Sequence, residues 1–115
     1  MPSVYAFVDG SYNVATHVYG YGGFLIHDGI KEVLQGSDKD AEMAAMRNVA
    51  GEICGSMAAI RKAVELGLPE VTIYYDYMGI EMWAAGAWKC NKKGTMAYRD
   101  YVASVRDVIR IHFRK

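Results

Sequence analysis

The sequence predicts an α/β fold, a mixed sheet with helices packed on it. Three observations carry this reading. Two short apolar runs, "VYAFV" at 4–8 and "VTIYY" at 71–75, each lead into an aspartate. Between them lies a long stretch with apolar residues at helical spacing. Ahead of that stretch, an Asp28-Gly29 pair joins two β-rich segments as a hairpin would. At 115 residues the chain has room for one buried core and is short for two, so a single domain is expected over 1–115.

Val4 to Val8 reads as a strand that is apolar on both faces, hence central in a sheet. Residues 17–27, rich in Tyr and Gly, read as a second strand. A third, from about Ile30 to Gln35, returns antiparallel after the hairpin, and 36–40 is a loop. From about Ala44 to Leu66 the period changes. Val49, Ile53, Met57, Ile60 and Val64 recur at spacings of four, four, three and four, one face of an amphipathic helix. Gly67 ends it and Pro69 prevents its continuation. Residues 71–76 form the next strand, 79–89 a short helix with a bend at Gly86, and 91–94 a basic loop. Met96 to about Val108 is a third helix. In "VIRIHFRK" at 108–115, Ile109, Ile111 and Phe113 alternate with Arg110, His112 and Arg114, as in a last strand. The order β-β-β-α-β-α-α-β feeds a hairpin sheet into a helical crossover, which is right-handed in nearly all proteins.

Net charge is zero but unevenly spread. Residues 1–88 hold 5 Lys/Arg and 11 Asp/Glu, while residues 89–115 hold 8 and 2. An acidic body attracts cations and a basic end attracts phosphate backbones; two solvated faces would look the same. No run of eighteen apolar residues exists, which argues against a membrane span, and "MPSVYAF" has no signal-peptide pattern. Cys54 and Cys90 form no CxxC pair, as expected of reduced thiols in a cytoplasmic protein.

Asp9 and Asp76 each follow an apolar strand. If those strands are parallel neighbours, both carboxylates emerge at the sheet edge where open α/β folds place ligands. Glu52 borders the apolar stripe of the connecting helix, and Asn48 lies one turn before it on the same face. Three crowded carboxylates raise one another's pKa, and a divalent cation removes that repulsion. Oxygen ligands without His or Cys select magnesium or manganese. Either aspartate alone could equally be a turn former.

These residues carry a family resemblance. "FVDGSYN", "RNVAGE" and "YYDYMGIEMWAAGAWK" resemble, in order and spacing, the acidic motifs and basic-handle region of type 1 ribonuclease H, of the bacterial kind. The similarity runs over essentially all 115 residues. It implies a five-stranded ribonuclease H-like sheet with flanking helices and an endoribonuclease that cuts the RNA strand of RNA–DNA hybrids with two Mg2+ (or Mn2+) ions. By motif position Asp9 would bridge both ions, with Glu52 and Asp76 holding the leaving-group ion. Asn48 would contact a ribose 2′-hydroxyl, and Gly10 and Ser11 the RNA strand. Trp88, Lys89, Lys92 and Lys93 would meet the DNA strand's phosphates.

The family pattern continues past the last strand with a His-containing loop, a final helix and a fourth acid, whereas this chain stops at Lys115. The resemblance therefore implies a C-terminally truncated fold with impaired hydrolysis and metal binding at one site. A non-catalytic hybrid-binding or interaction module on the same fold is the alternative. An uncovered apolar surface at the last strand would favour a homo-oligomer or a swapped dimer.

The remaining features read as structural. Gly51 and Gly55 share one helix face and serve close packing more readily than RNA contact. His17, His27 and His112 are too dispersed for zinc. Trp83 reads as core, the Tyr-Gly alternation at 19–22 as strand packing, Met43, Met46 and Met57 as filler, and Glu81 and Asp100 as surface charges.

Overall fold

Strand β1 (Val4–Tyr12) runs through the middle of a five-stranded sheet. The computed structural model describes residues 3–115. Around β1 lie β2 (Tyr19–His27), β3 (Ile30–Asp38), β4 (Glu70–Tyr74) and β5 (Arg110–Arg114), in the order β3-β2-β1-β4-β5. The first three are antiparallel; β4 is parallel to β1, and β5 to β4. Helices α1 (Ala41–Ala44), α2 (Asn48–Glu65), α3 (Gly79–Ala85) and α4 (Lys93–Ser104) complete the chain. This is the mixed sheet with flanking helices that the sequence predicts.

Alternation along β1 separates two faces. Val4, Ala6 and Val8 are buried and join Leu25, Ile53, Ile60, Val71 and Ile73 in the core beneath the helices. Tyr5 and Phe7 point the other way, where their rings meet those of Phe24 and Tyr74 at centroid distances of 4.7–6.3 Å. Phe7 is 38% exposed there, and Val33, paired with Phe24, is 69% exposed. One face is thus a packed core and the other a half-exposed aromatic surface, on which the Lys31 ammonium lies 4.6 Å from the Phe24 ring centroid.

Several expected boundaries shift: β3 runs on to Asp38, into the expected loop, and the helix expected from Met96 to about Val108 is Lys93–Ser104. Three further shifts have a physical reason. β1 does not stop at Val8. Its antiparallel pairing with β2 continues to Tyr12↔Tyr19, whereas its parallel pairing with β4 ends at Phe7↔Tyr74. Asp9 therefore lies within β1, two residues beyond that last pairing with β4, rather than at a strand end. The helix expected over Ala44–Leu66 is split. Arg47 has φ 55° and ψ −131°, which breaks the hydrogen-bond ladder between α1 and α2. The apolar period hides the break, because Met43 and Met46 before it and Val49 after it all pack against the same core. The helix expected from Gly79 ends at Ala85, with Gly86 in the left-handed conformation at φ 77° as its cap. Trp83 is buried, as expected of a core residue.

Candidate active site

Three glycines bring α2 onto the sheet beside Asp9. A Cβ on Gly51 would lie 1.9 Å from the Gly20 carbonyl oxygen and 3.0 Å from the Gly10 Cα. A Cβ on Gly10 would lie 2.1 Å from the Asn48 carbonyl oxygen and 2.6 Å from the Glu52 nitrogen. Backbone therefore meets backbone, with no side chain between. Gly10 is thus held against the first turn of α2, where Asn48 is exposed and Glu52 turns inward, and Asp9, one residue earlier on β1, is exposed.

Glu52 is 5% exposed. Its Oε1 accepts hydrogen bonds from the amides of Asp76, at 2.6 Å, and Tyr77, at 3.0 Å. Burial pushes its carboxyl above the ordinary range. The two amides oppose that shift, while the nearby charges of Asp76 and then Asp9 add to it. Among the described residues no Lys or Arg forms an ion pair with Asp9, Glu52 or Asp76. An almost fully buried carboxylate beside two others, without a cationic side chain, suits a hard divalent cation. Among the described residues no three His, Cys, Asp or Glu side chains stand close enough to hold a metal ion together. Asp76 and Asp9 are both exposed and reach the buried Glu52 through their charge.

The corner after β4 carries the second group of expected residues. Tyr77 packs its ring against Trp83 at 5.7 Å and Trp88 at 6.1 Å, and the two indoles lie 5.9 Å apart. Trp88 is 39% exposed, and Lys89, Lys92 and Lys93 are exposed beside it. The start of α4 is fixed by Thr95, whose hydroxyl accepts from the Lys92 amide and donates to the Lys92 carbonyl. Ser11, on the far side of Asp9, is exposed.

Several participants were not legible in advance. The Tyr75 hydroxyl donates to Glu81, so Glu81 is a half-buried acceptor rather than a free surface charge. Burial, then the Glu81 bond and charge, push the Tyr75 phenol up to about 12. Next to Asn48, a groove of about 550 Å³ is lined by Tyr12, Thr16, His17, Lys39 and Arg47, among others. Arg47 lies over the Tyr12 ring at 5.7 Å, and the Tyr12 hydroxyl meets His17 Nδ1 at 2.9 Å. Only the basic character of 39 and 47 was visible in the sequence; the turn at Arg47 that gathers them was not.

Known proteins share the fold of this chain more than its sequence. No family model matches the chain, and no curated protein matches it in sequence. Solved structures match closely in shape. The RNase H1 of the halophilic archaeon Halobacterium salinarum matches over 96% of this chain and 81% of that one, at 20% identity and a TM-score of 0.69. The N-terminal RNase H domain of a Mycobacterium tuberculosis protein, fused to maltose-binding protein, matches over 96% and 83%, at 21% identity and a TM-score of 0.73. LC11-RNase H1 in complex with an RNA/DNA hybrid matches over 96% and 83%, at 13% identity and a TM-score of 0.76. The chain has the ribonuclease H fold. At these identities the ribonuclease H likeness is one of architecture, and the chemistry rests on the residues at the edge just described.

Proposed function

We propose that this chain binds RNA–DNA hybrids and hydrolyses the RNA strand with Mg2+ or Mn2+ held by Asp9, Glu52 and Asp76. The observation that supports the proposal is the Glu52 carboxylate, buried within electrostatic reach of Asp76 and Asp9 and with no ion-pair partner among the described residues, on a ribonuclease H sheet. Bound there, two divalent ions would activate a water and stabilise the leaving oxygen of a phosphodiester. The residues themselves bind and orient. Asn48, exposed on the first turn of α2, presents an amide to a ribose 2′-hydroxyl. Ser11, exposed on β1, meets the RNA strand, whereas the missing side chain of Gly10, expected to admit RNA, serves the approach of α2. Trp88, Lys89, Lys92 and Lys93 meet the phosphates of the DNA strand. The groove lined by His17, Lys39 and Arg47 offers a further phosphate site beside Asn48.

The test is cleavage of a labelled hybrid in Mg2+, with Asp9→Asn as the blank. Mg2+-dependent cutting of the RNA strand that Asp9→Asn abolishes is expected. Hybrid binding without any cutting would favour the non-catalytic module. Failure to bind a hybrid at all would end both readings. Replacing Lys89, Lys92 and Lys93 together by Ala should weaken binding uniformly across sequences. It should also flatten the salt dependence by about 0.9 in log–log slope for each phosphate that is no longer neutralised.

Self-association belongs to the same proposal, through the half-exposed aromatic face rather than the edge of β5. Antiparallel pairing of two β5 edges centred on His112 would set Arg110 of each copy against Arg114 of the other, like charges directly opposite. Sedimentation across a concentration series tests this, with Phe7→Asp expected to give a monomer.

A further inference from the structure

The chain leaves the sheet after Tyr75, whose amide donates to the Arg114 carbonyl at 2.9 Å. The next backbone bond along it is from Ile80 to the Tyr77 carbonyl, at 3.0 Å. Between these points the amides of Asp76 and Tyr77 meet no backbone carbonyl among the described residues. Both instead donate to one atom, Oε1 of Glu52, which reaches them from a different element and from 24 and 25 positions away in sequence. That single oxygen fixes the corner. The corner carries Asp76 itself and the Tyr77 ring, which seats Trp83 and Trp88, and Lys89 follows Trp88 directly.

We infer that Glu52 is a positioning residue for the strand-binding corner, acting through Oε1 on the amides of Asp76 and Tyr77, in addition to offering Oε2 to a cation. The inference rests on the reading of this edge as a hybrid site only where it speaks of binding; the clamp itself is a matter of geometry. It separates two duties within one carboxylate. Acceptance of the amides needs an oxygen at that position but no charge. Cation binding needs the charge. Glutamine supplies the oxygen without the charge and alanine supplies neither. Both substitutions remove the same charge, so a difference between them reads the acceptor oxygen and the stem that carries it, not the charge.

The experiment compares wild type, Glu52→Gln and Glu52→Ala in EDTA, with no divalent ion present. Three readouts are taken: amide hydrogen exchange at Asp76 and Tyr77, the tryptophan emission of Trp83 and Trp88, and hybrid affinity by fluorescence anisotropy. Glu52→Gln should keep the wild-type exchange and emission and stay within about twofold in affinity, while Glu52→Ala should lose the protection, shift the emission and bind about tenfold more weakly. In Mg2+ both variants should lose cation binding by calorimetry. If Gln and Ala behave alike in EDTA, the clamp is refuted. Should Glu52→Ala fail to fold, the Gln variant decides by itself, since loss of protection at the two amides in that variant overturns the inference. If wild type binds no hybrid, the functional reading falls, while exchange and emission still judge the clamp.

Discussion

The two sides of the acidic edge are built by opposite means. On the Asp9 side, α2 is pressed onto β1 and β2 through Gly10, Gly20 and Gly51, backbone against backbone. On the Asp76 side, the chain after β4 hangs on one buried side chain, Glu52, and on a cluster of aromatic rings. The first arrangement tolerates no added atom. The second tolerates replacements that keep an oxygen in place. Packed backbone thus fixes where Asp9 is, and side-chain chemistry fixes where Asp76 is, so the two positions should respond differently to substitution.

The largest effect is expected at Gly51. Alanine there gains about 1 kcal/mol in helix propensity. Its Cβ, however, would sit 1.9 Å from a carbonyl oxygen that belongs to a strand and cannot rotate away. We expect Gly51→Ala to destabilise by about 3 kcal/mol, the upper range of overpacking, read as a lowered urea midpoint. Gly22, opposite Asp9 on β2, is the control. Nothing lies within 4 Å of a Cβ there, so Gly22→Ala should leave the midpoint nearly unchanged. A Gly51→Ala protein as stable as wild type would show that α2 can lift off the sheet, and the contrast between the two sides would vanish.

At Glu52 the effect is smaller and depends on what replaces it. Glu52→Ala leaves two amides without an acceptor and should cost about 2 kcal/mol. Glu52→Gln keeps the acceptor and removes a desolvated charge beside Asp76 and Asp9. Without divalent ions it should be at least as stable as wild type, and a clearly lower urea midpoint would contradict that.

This contrast also explains what was readable in advance. The strand patterns at 4–8 and 71–75 and the apolar stripe of α2 reflect periodic burial, and periodic burial is written in residue types. The parallel pairing of the strands that lead to Asp9 and Asp76 was readable from their apolar runs, and β1 and β4 do form it. The continuation of β1 to Tyr12 was not readable, because polar residues there pair with β2 on one side only. The break at Arg47 was hidden by an apolar period that runs through it. The clamp was invisible for a different reason: its donors are backbone amides, identical at every position, brought to Glu52 only by the fold. Glu81 was read as a surface charge because nothing near it in sequence announces the Tyr75 hydroxyl that donates to it.

The smallest effect concerns the outer support of the Asp76 corner. Tyr98 on α4 is fully buried, and its hydroxyl donates to the Ile80 carbonyl of α3 at 2.6 Å, tying together the helices behind Trp83. Burial first, then the charge of Glu52, raise this phenol far above its ordinary value. For an acid with a raised folded pKa, the unfolded chain loses its proton first as the pH climbs. The stability Tyr98 contributes is therefore complete below the ordinary phenol pKa and declines above it, by about 1.4 kcal/mol per pH unit. At neutral pH, Tyr98→Phe removes one hydrogen bond and should cost only about 1 kcal/mol. Above pH 10 it should lose less stability per pH unit than wild type, so the two urea midpoints converge and then cross. Parallel alkaline curves for the two proteins would mean that the Tyr98 hydroxyl reaches solvent, and that α3 and the corner it supports are less firmly tied to α4 than the buried bond implies.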